Sequence, residues 1–151
     1  MGRVRLIEQE IFLFSPEETR RFGRDFANKL APNSILALYG PLGAGKTTFV
    51  QGLAEGLGIE AAVQSPTFTL FHLYEGSLSL YHFDLYRFKN AEDFFQMGFE
   101  EYFEKGGICA IEWPERLGPR LPQNAISLSF QHLETGGRRA IWNFPQEAGR
   151  V

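Results

Sequence analysis

Cysteine is almost absent from this chain of 151 residues, and basic side chains are not in excess. The single cysteine, Cys109, can form neither an intrachain disulfide nor a cysteine-rich zinc site, which suits a reducing compartment. The net charge of −3 argues against a protein that grips RNA or DNA by itself, because such proteins usually present a basic face.

Long apolar runs are absent as well. No stretch approaches the roughly 20 apolar residues of a membrane span, and the segment 1–6 lacks the apolar core of a signal peptide. We therefore expect a cytoplasmic protein with no membrane contact. The length allows one domain spanning residues 1–151, whose core needs no disulfides. The 15 phenylalanines are assigned mainly to that core, with surface anchors for a partner as the alternative.

The most specific motif is a glycine-rich segment that fills every required position of the phosphate-binding loop, G-x-x-x-x-G-K-[ST]. An apolar run at 35–39 precedes it and predicts a buried strand, and apolar residues at helical spacing follow it as far as Gly58. We expect nucleotide binding by Gly40, Pro41, Leu42, Gly43, Ala44, Gly45, Lys46, Thr47 and Thr48.

Each residue type in this loop has a physical role. Glycines let backbone N–H groups approach phosphate oxygens, and the dipole of the following helix favours the same anion. Lys46 supplies a mobile positive charge to the β- and γ-phosphates, and the Thr47 hydroxyl is placed to bind Mg²⁺. The loop therefore predicts a site for a nucleoside triphosphate with its magnesium ion.

The remaining pattern predicts a mixed α/β domain in which helices alternate with strands and antiparallel pieces lie at the edges. Ser15 caps a helix with Pro16 in its first position and Glu18 closing a capping box, and the helix is expected to end at 32–33. A second helix starts at Asn90 and extends past Phe103, with Gly98 as a possible break. Strands are expected at 4–14, 65–71, 77–87, 108–112, 125–133 and 139–144, with hairpin turns at 76 and 135–137 and a loop at Pro119 and Pro122.

Two acidic residues end apolar strands and are candidates for the magnesium site. Asp84 follows 80–83 and Glu112 follows 108–111. In such sheets the ligand lies outside the carboxyl ends of the strands, so both acids should lie near the phosphate loop. One would hold Mg²⁺, directly or through water, and the other would orient the attacking water; a solvated strand end or an ion pair with Arg87 is the alternative.

Two further predictions concern a switch and the histidines. Thr67 and Thr69 lie in a proline-containing segment downstream of the loop helix, where other phosphate-loop proteins place a nucleotide-sensing switch. His82 shares a strand face with Asp84, so it could support that acid, whereas His72 and His132 are assigned to structure or surface.

The chain resembles the bacterial TsaE family, also called YjeE. The resemblance rests on the phosphate loop together with residues 65–70 (S-P-T-F-T-L), 82–87 (H-F-D-L-Y-R) and 112–114 (E-W-P), and it covers essentially the whole chain. It implies a P-loop NTPase-like three-layer α/β domain with a central mixed, mainly parallel sheet and antiparallel edge strands. It further implies weak ATP hydrolysis with Mg²⁺, stimulated by the TsaD–TsaB complex that modifies adenosine 37 of tRNAs reading ANN codons, so that tRNA is met only through partners.

The resemblance also assigns individual residues. It implies Mg²⁺ ligands at Thr47 and Glu112, with Asp84 at the metal or its water, and a switch at Thr67 near the γ-phosphate. It places Ser15 and Pro16 against the adenine of ATP or ADP. Taken alone, the chain is expected to be a monomer.

Three other functions remain open from the residues alone. A small-molecule kinase needs an arginine-bearing lid and an acceptor pocket, for which the sequence shows no obvious pattern. A GTPase needs the N-K-x-D and D-x-x-G segments, and neither occurs. A nucleotide-gated binding module would use the same loop without depending on hydrolysis.

Overall fold

A seven-stranded sheet forms the centre of the computed structural model, which describes residues 7–60, 62–63 and 70–145. The strands are β1 (Ile7–Leu13), β2 (Ile35–Tyr39), β3 (Phe71–Tyr74), β4 (Leu80–Asp84), β5 (Ile108–Glu112), β6 (Ile126–His132) and β7 (Arg138–Phe144). They lie in the order β1-β7-β6-β2-β5-β4-β3. The pairings β6–β2, β2–β5 and β5–β4 are parallel, and the outer pairings are antiparallel. The predicted mixed sheet with antiparallel edges is confirmed.

Helices cover both faces of this sheet and make the two outer layers of a three-layer fold. The α-helices are α1 (Pro16–Ala27), α2 (Lys46–Gly56) and α3 (Ala91–Gln96), and 3₁₀ segments span Phe99–Glu104 and Pro114–Arg120. One core cluster joins α1 and α2 to the sheet, and a second joins α3 and the 3₁₀ segments to the opposite face. Of the described phenylalanines only Phe12 and Phe14 are exposed, which confirms that these side chains mainly pack the core.

The phosphate loop is anchored by an aromatic cluster beneath the start of α2. Phe49 is fully buried, and its ring contacts those of Phe22, Phe26 and Phe130 at centroid distances of 5.4 to 5.6 Å. These rings belong to α1, α2 and β6, so one packed cluster fixes the helix that follows the loop. Tight packing of this kind gives α2, and with it the loop, one defined position.

The predicted first helix begins as expected and ends earlier than expected. Ser15 Oγ accepts the N–H of Glu18 at 3.1 Å, but Glu18 Oε1 accepts the N–H of Phe14 rather than that of Ser15, so the capping box is only half formed. Helix α1 ends at Ala27. The next three N–H groups bond to the carbonyl three residues earlier, which tightens the chain into a turn well before the proline at 32.

Other boundaries also shift. Gly98, with φ 75°, separates α3 from the 3₁₀ segment Phe99–Glu104, so the possible break predicted there is real. Pro119 lies in the 3₁₀ segment Pro114–Arg120, so the predicted loop is wrong at that position. Strand β4 is shorter than the predicted 77–87, and the predicted strand residues 4–6 and 65–69 lie outside the described residues. None of the described helices is long and apolar enough to cross a membrane.

Candidate functional site

A cavity of about 550 Å³ lies at the carboxyl edge of the parallel strands, beside the start of α2. Its walls come from the phosphate loop, from the ends of β4 and β5, and from the first residue of β7. The lining residues are Leu42, Gly43, Gly45, Lys46, Thr47, Thr48, Leu70, Asp84, Tyr86, Arg87, Glu112, Trp113 and Arg138. The fold thus brings the loop and both predicted acids to one place.

The loop reaches α2 through backbone conformations that favour glycine. Gly45 caps α2 with φ 103°, and Gly40 has φ 140°. A Cβ on Gly40 would lie 2.8 Å from the carbonyl oxygen of Phe130, so a side chain there would push the loop away from β6. The first N–H groups of α2 are consequently presented at the cavity, where they and the helix dipole favour an anion.

Not every residue of the motif faces the cavity. Ala44 is buried in the core cluster, and its N–H closes a turn by donating to the carbonyl of Pro41 at 3.2 Å. The carbonyl of Gly40 accepts a hydrogen bond from Lys46 Nζ at 2.6 Å. Gly40, Pro41 and Ala44 therefore shape the loop, while the other residues from 42 to 48 line the cavity.

Lys46 lies inside the cavity wall and is only 5% exposed. Its ammonium group sits 5.0 Å from the centre of the Trp113 ring, a cation–π contact, in addition to its bond to Gly40. No carboxylate of the described residues pairs with it within 4.0 Å. This charge is therefore positioned for an anion that the cavity can receive.

The two predicted acids are direct neighbours. Asp84 and Glu112 are paired residues of the parallel strands β4 and β5. Burial raises the pKa of Asp84, the carboxylate of Glu112 raises it further, and a hydrogen bond from the Tyr86 N–H at 3.0 Å opposes this. The carboxylate of Glu112 therefore disfavours the charge of Asp84, and a cation beside both groups would remove that cost.

His82 holds one of these acids. Its Nε2 lies 2.6 Å from Oε2 of Glu112, and both side chains are buried. The other ring nitrogen, Nδ1, has no hydrogen-bond partner among the described residues. With Nε2 as the donor, the contact fixes one oxygen of Glu112 and leaves the second for the cavity. The support predicted for Asp84 thus goes to Glu112, because the strand register aligns the acid of β5 with the histidine face of β4.

A second, smaller cavity of about 120 Å³ adjoins the first. Ser15 and Pro16, the predicted adenine neighbours, line it together with the exposed ring of Phe14. Gly45, Thr48 and Arg138 line both cavities. The predicted base site is therefore continuous with the phosphate loop, although β1 and α2 are far apart in the sequence.

The sequence did not predict a role for Arg138, whereas Tyr86 and Trp113, the aromatic wall of the main cavity, belong to the segments 82–87 and 112–114. The rings of Tyr86 and Trp113 lie 4.9 Å apart, and the guanidinium of Arg116 lies 5.9 Å from each of them. Trp113 adopts φ 59°, a conformation that costs a non-glycine residue free energy. Trp113 directly follows Glu112 and Tyr86 lies two residues after Asp84, which was a visible signal, whereas Arg138, 95 residues from the Gly43 carbonyl that it contacts, carried none.

The switch residue and the metal ligands both stay predictions. Thr67 lies outside the described residues, so its role as a switch stays a prediction. In the part of the chain that is described, no group of three or more His, Cys, Asp or Glu side chains could hold a metal ion. A divalent cation here would need a hydroxyl and ligand oxygens besides the two carboxylates, which is how Mg²⁺ usually binds with a nucleotide.

Comparisons with known proteins agree on one family. The family model described as threonylcarbamoyl adenosine biosynthesis protein TsaE matches residues 13–141. The chain is 45% identical over 124 residues to the TsaE protein of Treponema pallidum, covering 82% of this chain and 92% of that protein. It is 42% identical over 136 residues to the TsaE protein of a Nostoc species, covering 87% and 83%.

A solved structure shows the same fold. The crystal structure of YdiB from Bacillus subtilis superposes with a TM-score of 0.79 at 33% sequence identity, covering 97% of this chain and 90% of that one. The likeness confirms the P-loop NTPase-like α/β fold that the sequence predicts.

Proposed function

The chain belongs to the TsaE family of threonylcarbamoyladenosine biosynthesis proteins, and on that premise we propose that it binds ATP with Mg²⁺ and slowly hydrolyses it. The hydrolysis would support the TsaD–TsaB complex in threonylcarbamoylation of adenosine 37 in tRNAs that read ANN codons. One observation carries the proposal: the phosphate loop, Asp84 and Glu112 line a single cavity at the start of α2.

The loop supplies the groups that a polyphosphate requires. Backbone N–H groups at the start of α2 would cradle the α- and β-phosphates, and Lys46 would reach the β- and γ-phosphates. Lys46 already has its ammonium group in the wall of this cavity, and Nζ carries three N–H donors, of which Gly40 needs one. Binding ATP therefore requires no large movement of this side chain.

The residues present suit a magnesium ion. The Thr47 hydroxyl and Glu112 would hold it, with Asp84 at the metal or its water shell, and phosphate oxygens would complete the set. All three residues offer the hard oxygen atoms that Mg²⁺ prefers, and all three line the cavity. When bound, the ion would neutralise charge on the β- and γ-phosphates.

The protein's own share of the chemistry is positioning. Phosphoryl transfer to water depends mainly on placing the nucleophile and stabilising charge. The carboxylates of Glu112 and Asp84 would together fix the water shell of the metal and the attacking water at the γ-phosphate. His82 keeps Glu112 in one orientation through its 2.6 Å contact. Lys46 stabilises the negative charge that leaves with ADP.

Phosphate release assays with the purified chain test this function. Wild-type chain should release phosphate from ATP slowly, only with Mg²⁺ present, and faster when purified TsaD–TsaB is added. ATP should bind more tightly than GTP, since the sequence lacks guanine-recognition motifs. Adding a set of small acceptor molecules separates hydrolysis from a kinase reaction, because only a kinase would move the γ-phosphate to an acceptor. Binding without any hydrolysis, even with the partners, would favour the nucleotide-gated module.

A further inference from the structure

Trp113 has a backbone conformation that its residue type disfavours. Its φ of 59° lies in the left-handed region, and among the described residues only Asn33 shares a positive φ without being glycine. Asparagine tolerates that region, whereas a bulky side chain is strained there. Trp113 also precedes Pro114, and a proline favours an extended conformation in the residue before it. Such a conformation persists only where surrounding contacts hold it, so the contacts of the indole ring are informative.

The Trp113 ring lies against an aromatic ring and two cationic groups. Its centre is 4.9 Å from the centre of the Tyr86 ring, 5.0 Å from Lys46 Nζ and 5.9 Å from the guanidinium of Arg116. Tyr86, Trp113 and Lys46 line the large cavity, whereas Arg116, which is exposed, lines neither of the two cavities described above. Arg116 therefore contacts this wall of the site from the outside.

Arg116 ties together the two chain segments that form the wall. Its Nη2 donates to the carbonyl of Tyr86 at 3.1 Å, although 30 residues separate the two in the sequence. The guanidinium also lies 5.9 Å from the centre of the Tyr86 ring. One planar group thus contacts both the segment after β4 and the ring that follows β5. The wide fork of a guanidinium can do this, and the compact ammonium group of a lysine cannot.

We propose that Arg116 is a positioning residue for Lys46. It holds Trp113 in the left-handed conformation, and the Trp113 ring in turn holds the ammonium group of Lys46. The inference rests on the proposed function, because it takes Lys46 as the group that binds the outer phosphates. Among the described residues the hydrogen bond of Lys46 goes to the carbonyl of Gly40. The ring face is a second contact that restricts the ammonium before ATP arrives, so less freedom is lost on binding.

Quenching of tryptophan fluorescence by acrylamide tests the first step without nucleotide. In a Trp142→Phe chain, Trp113 is the remaining tryptophan. Arg116→Met keeps an apolar stem but removes the charge and the donors, so Trp113 should become more accessible and its quenching should increase. The matched control is Arg120→Met, because Arg120 belongs to the same 3₁₀ segment and pairs with Glu92 at 3.0 Å, away from both cavities. That control should be quenched like its parent.

Affinity for polyphosphates tests the second step. Arg116→Met should weaken ATP and inorganic tripolyphosphate alike by about 2- to 5-fold, the size of an exposed cation–π contact. At about 0.15 M salt, where exposed charges are screened beyond about 8 Å, Arg120→Met should bind both ligands like wild type. Arg116→Lys should stay weaker than wild type, because it keeps the charge but not the fork. In a Trp113→Leu chain, Arg116→Met should cause no further loss, since the ring through which it acts is gone.

The outcomes separate this assignment from the proposed function. Increased quenching, a loss for both ligands and no further loss without the indole ring support it. Unchanged quenching, unchanged affinity, full recovery in Arg116→Lys, or an equal further loss in the Trp113→Leu chain overturns it while the proposed function stands. A wild-type chain that binds neither ATP nor tripolyphosphate overturns both. Thermal unfolding reports whether each variant folds, and should Trp142→Phe fail, quenching is measured in chains that keep Trp142, which is only 7% exposed.

Discussion

Replacing Lys46 by methionine should separate nucleotide affinity from folding stability. Lys46 is 5% exposed, and its ammonium group donates to the carbonyl of Gly40 at 2.6 Å and has no carboxylate partner within 4.0 Å among the described residues. Methionine keeps the length and the apolar stem but removes the charge. Loss of the hydrogen bond lowers the free energy of unfolding by about 1.5–3 kcal/mol. Removal of the buried charge raises the free energy of unfolding by a similar amount. The ligand-free variant should therefore unfold within about 2 °C of wild type.

ATP binding should fall sharply in the same variant. Losing one charge-assisted phosphate contact costs about 1.5–3 kcal/mol, and a loss of about 2 kcal/mol within that range is a weakening of about 30-fold. At an ATP concentration of about 100 times the wild-type Kd, the ligand stabilises wild type by about 2.7 kcal/mol and the variant by about 0.9 kcal/mol. At about 2–4 °C for each kcal/mol, the ATP-induced rise in Tm should drop from about 5–11 °C to about 2–4 °C.

Thermal scans with and without Mg-ATP measure both effects, and isothermal titration gives the Kd. Lys105→Met is the matched control, since Lys105 lies beyond the Phe99–Glu104 segment and stacks on Tyr102 at 4.5 Å, away from both cavities. The control should keep the full ATP-induced shift. A Lys46→Met chain whose ATP affinity stays within twofold of wild type would refute the role given to this ammonium group.

Three further predictions concern Glu112, the base site and the buried thiol. Glu112→Gln should still bind ATP but lose about 100-fold or more of its partner-stimulated turnover, the usual contribution of a group that handles the attacking water; wild-type phosphate release would remove Glu112 from the mechanism. Phe14→Ala should weaken ATP binding by about 5- to 100-fold if the ring stacks on the base, while inorganic tripolyphosphate binds unchanged; Phe12→Ala, exposed two residues earlier in β1, is the control, and equal effects from both changes would contradict the base site. Burial raises the pKa of Cys109 to about 12, so iodoacetamide should label it at neutral pH only after unfolding in urea, and rapid labelling of the folded chain would be the contrary result. Because the pKa of the Cys109 thiol in the folded chain lies above its ordinary value of 9.0, the protonated thiol contributes fully to the free energy of unfolding below pH 9.0, and this contribution is lost as the pH rises toward about 12. Urea titrations should show that decline in wild type and not in Cys109→Ala.

Local patterns predicted most of the elements. Strand β2 spans its apolar run, and β5 extends its run by one residue, Glu112, because a buried parallel strand is typically a short continuous apolar segment. The ends of helices were less predictable. Helix α1 stops at Ala27 although its apolar spacing continues to Leu30, since turn-type hydrogen bonds and packing, and not the next proline, end it.

The candidate site likewise contains residues that local patterns predict and residues that they do not. The loop at 40–47 and the acids Asp84 and Glu112 were visible because each depends on a few neighbouring residues: glycines for close backbone approach, a lysine and a hydroxyl for phosphate and metal, and an acid at a strand end. Arg138 and the partner of His82 were not visible. Their roles arise from contacts across long sequence separations, which no local pattern encodes.

The sequence by itself determined the phosphate loop and the alternation of strands and helices. It also determined the edge of the sheet at which the functional residues lie. These features follow from short-range sterics and periodicity. Only the tertiary structure decided which residues meet there. The register of β4 against β5 sets Asp84 beside Glu112 and brings His82 to the same acid. The return of β7 between β1 and β6 carries Arg138 to the loop. Strand order and register depend on how the whole core packs, and that is a property of the complete chain.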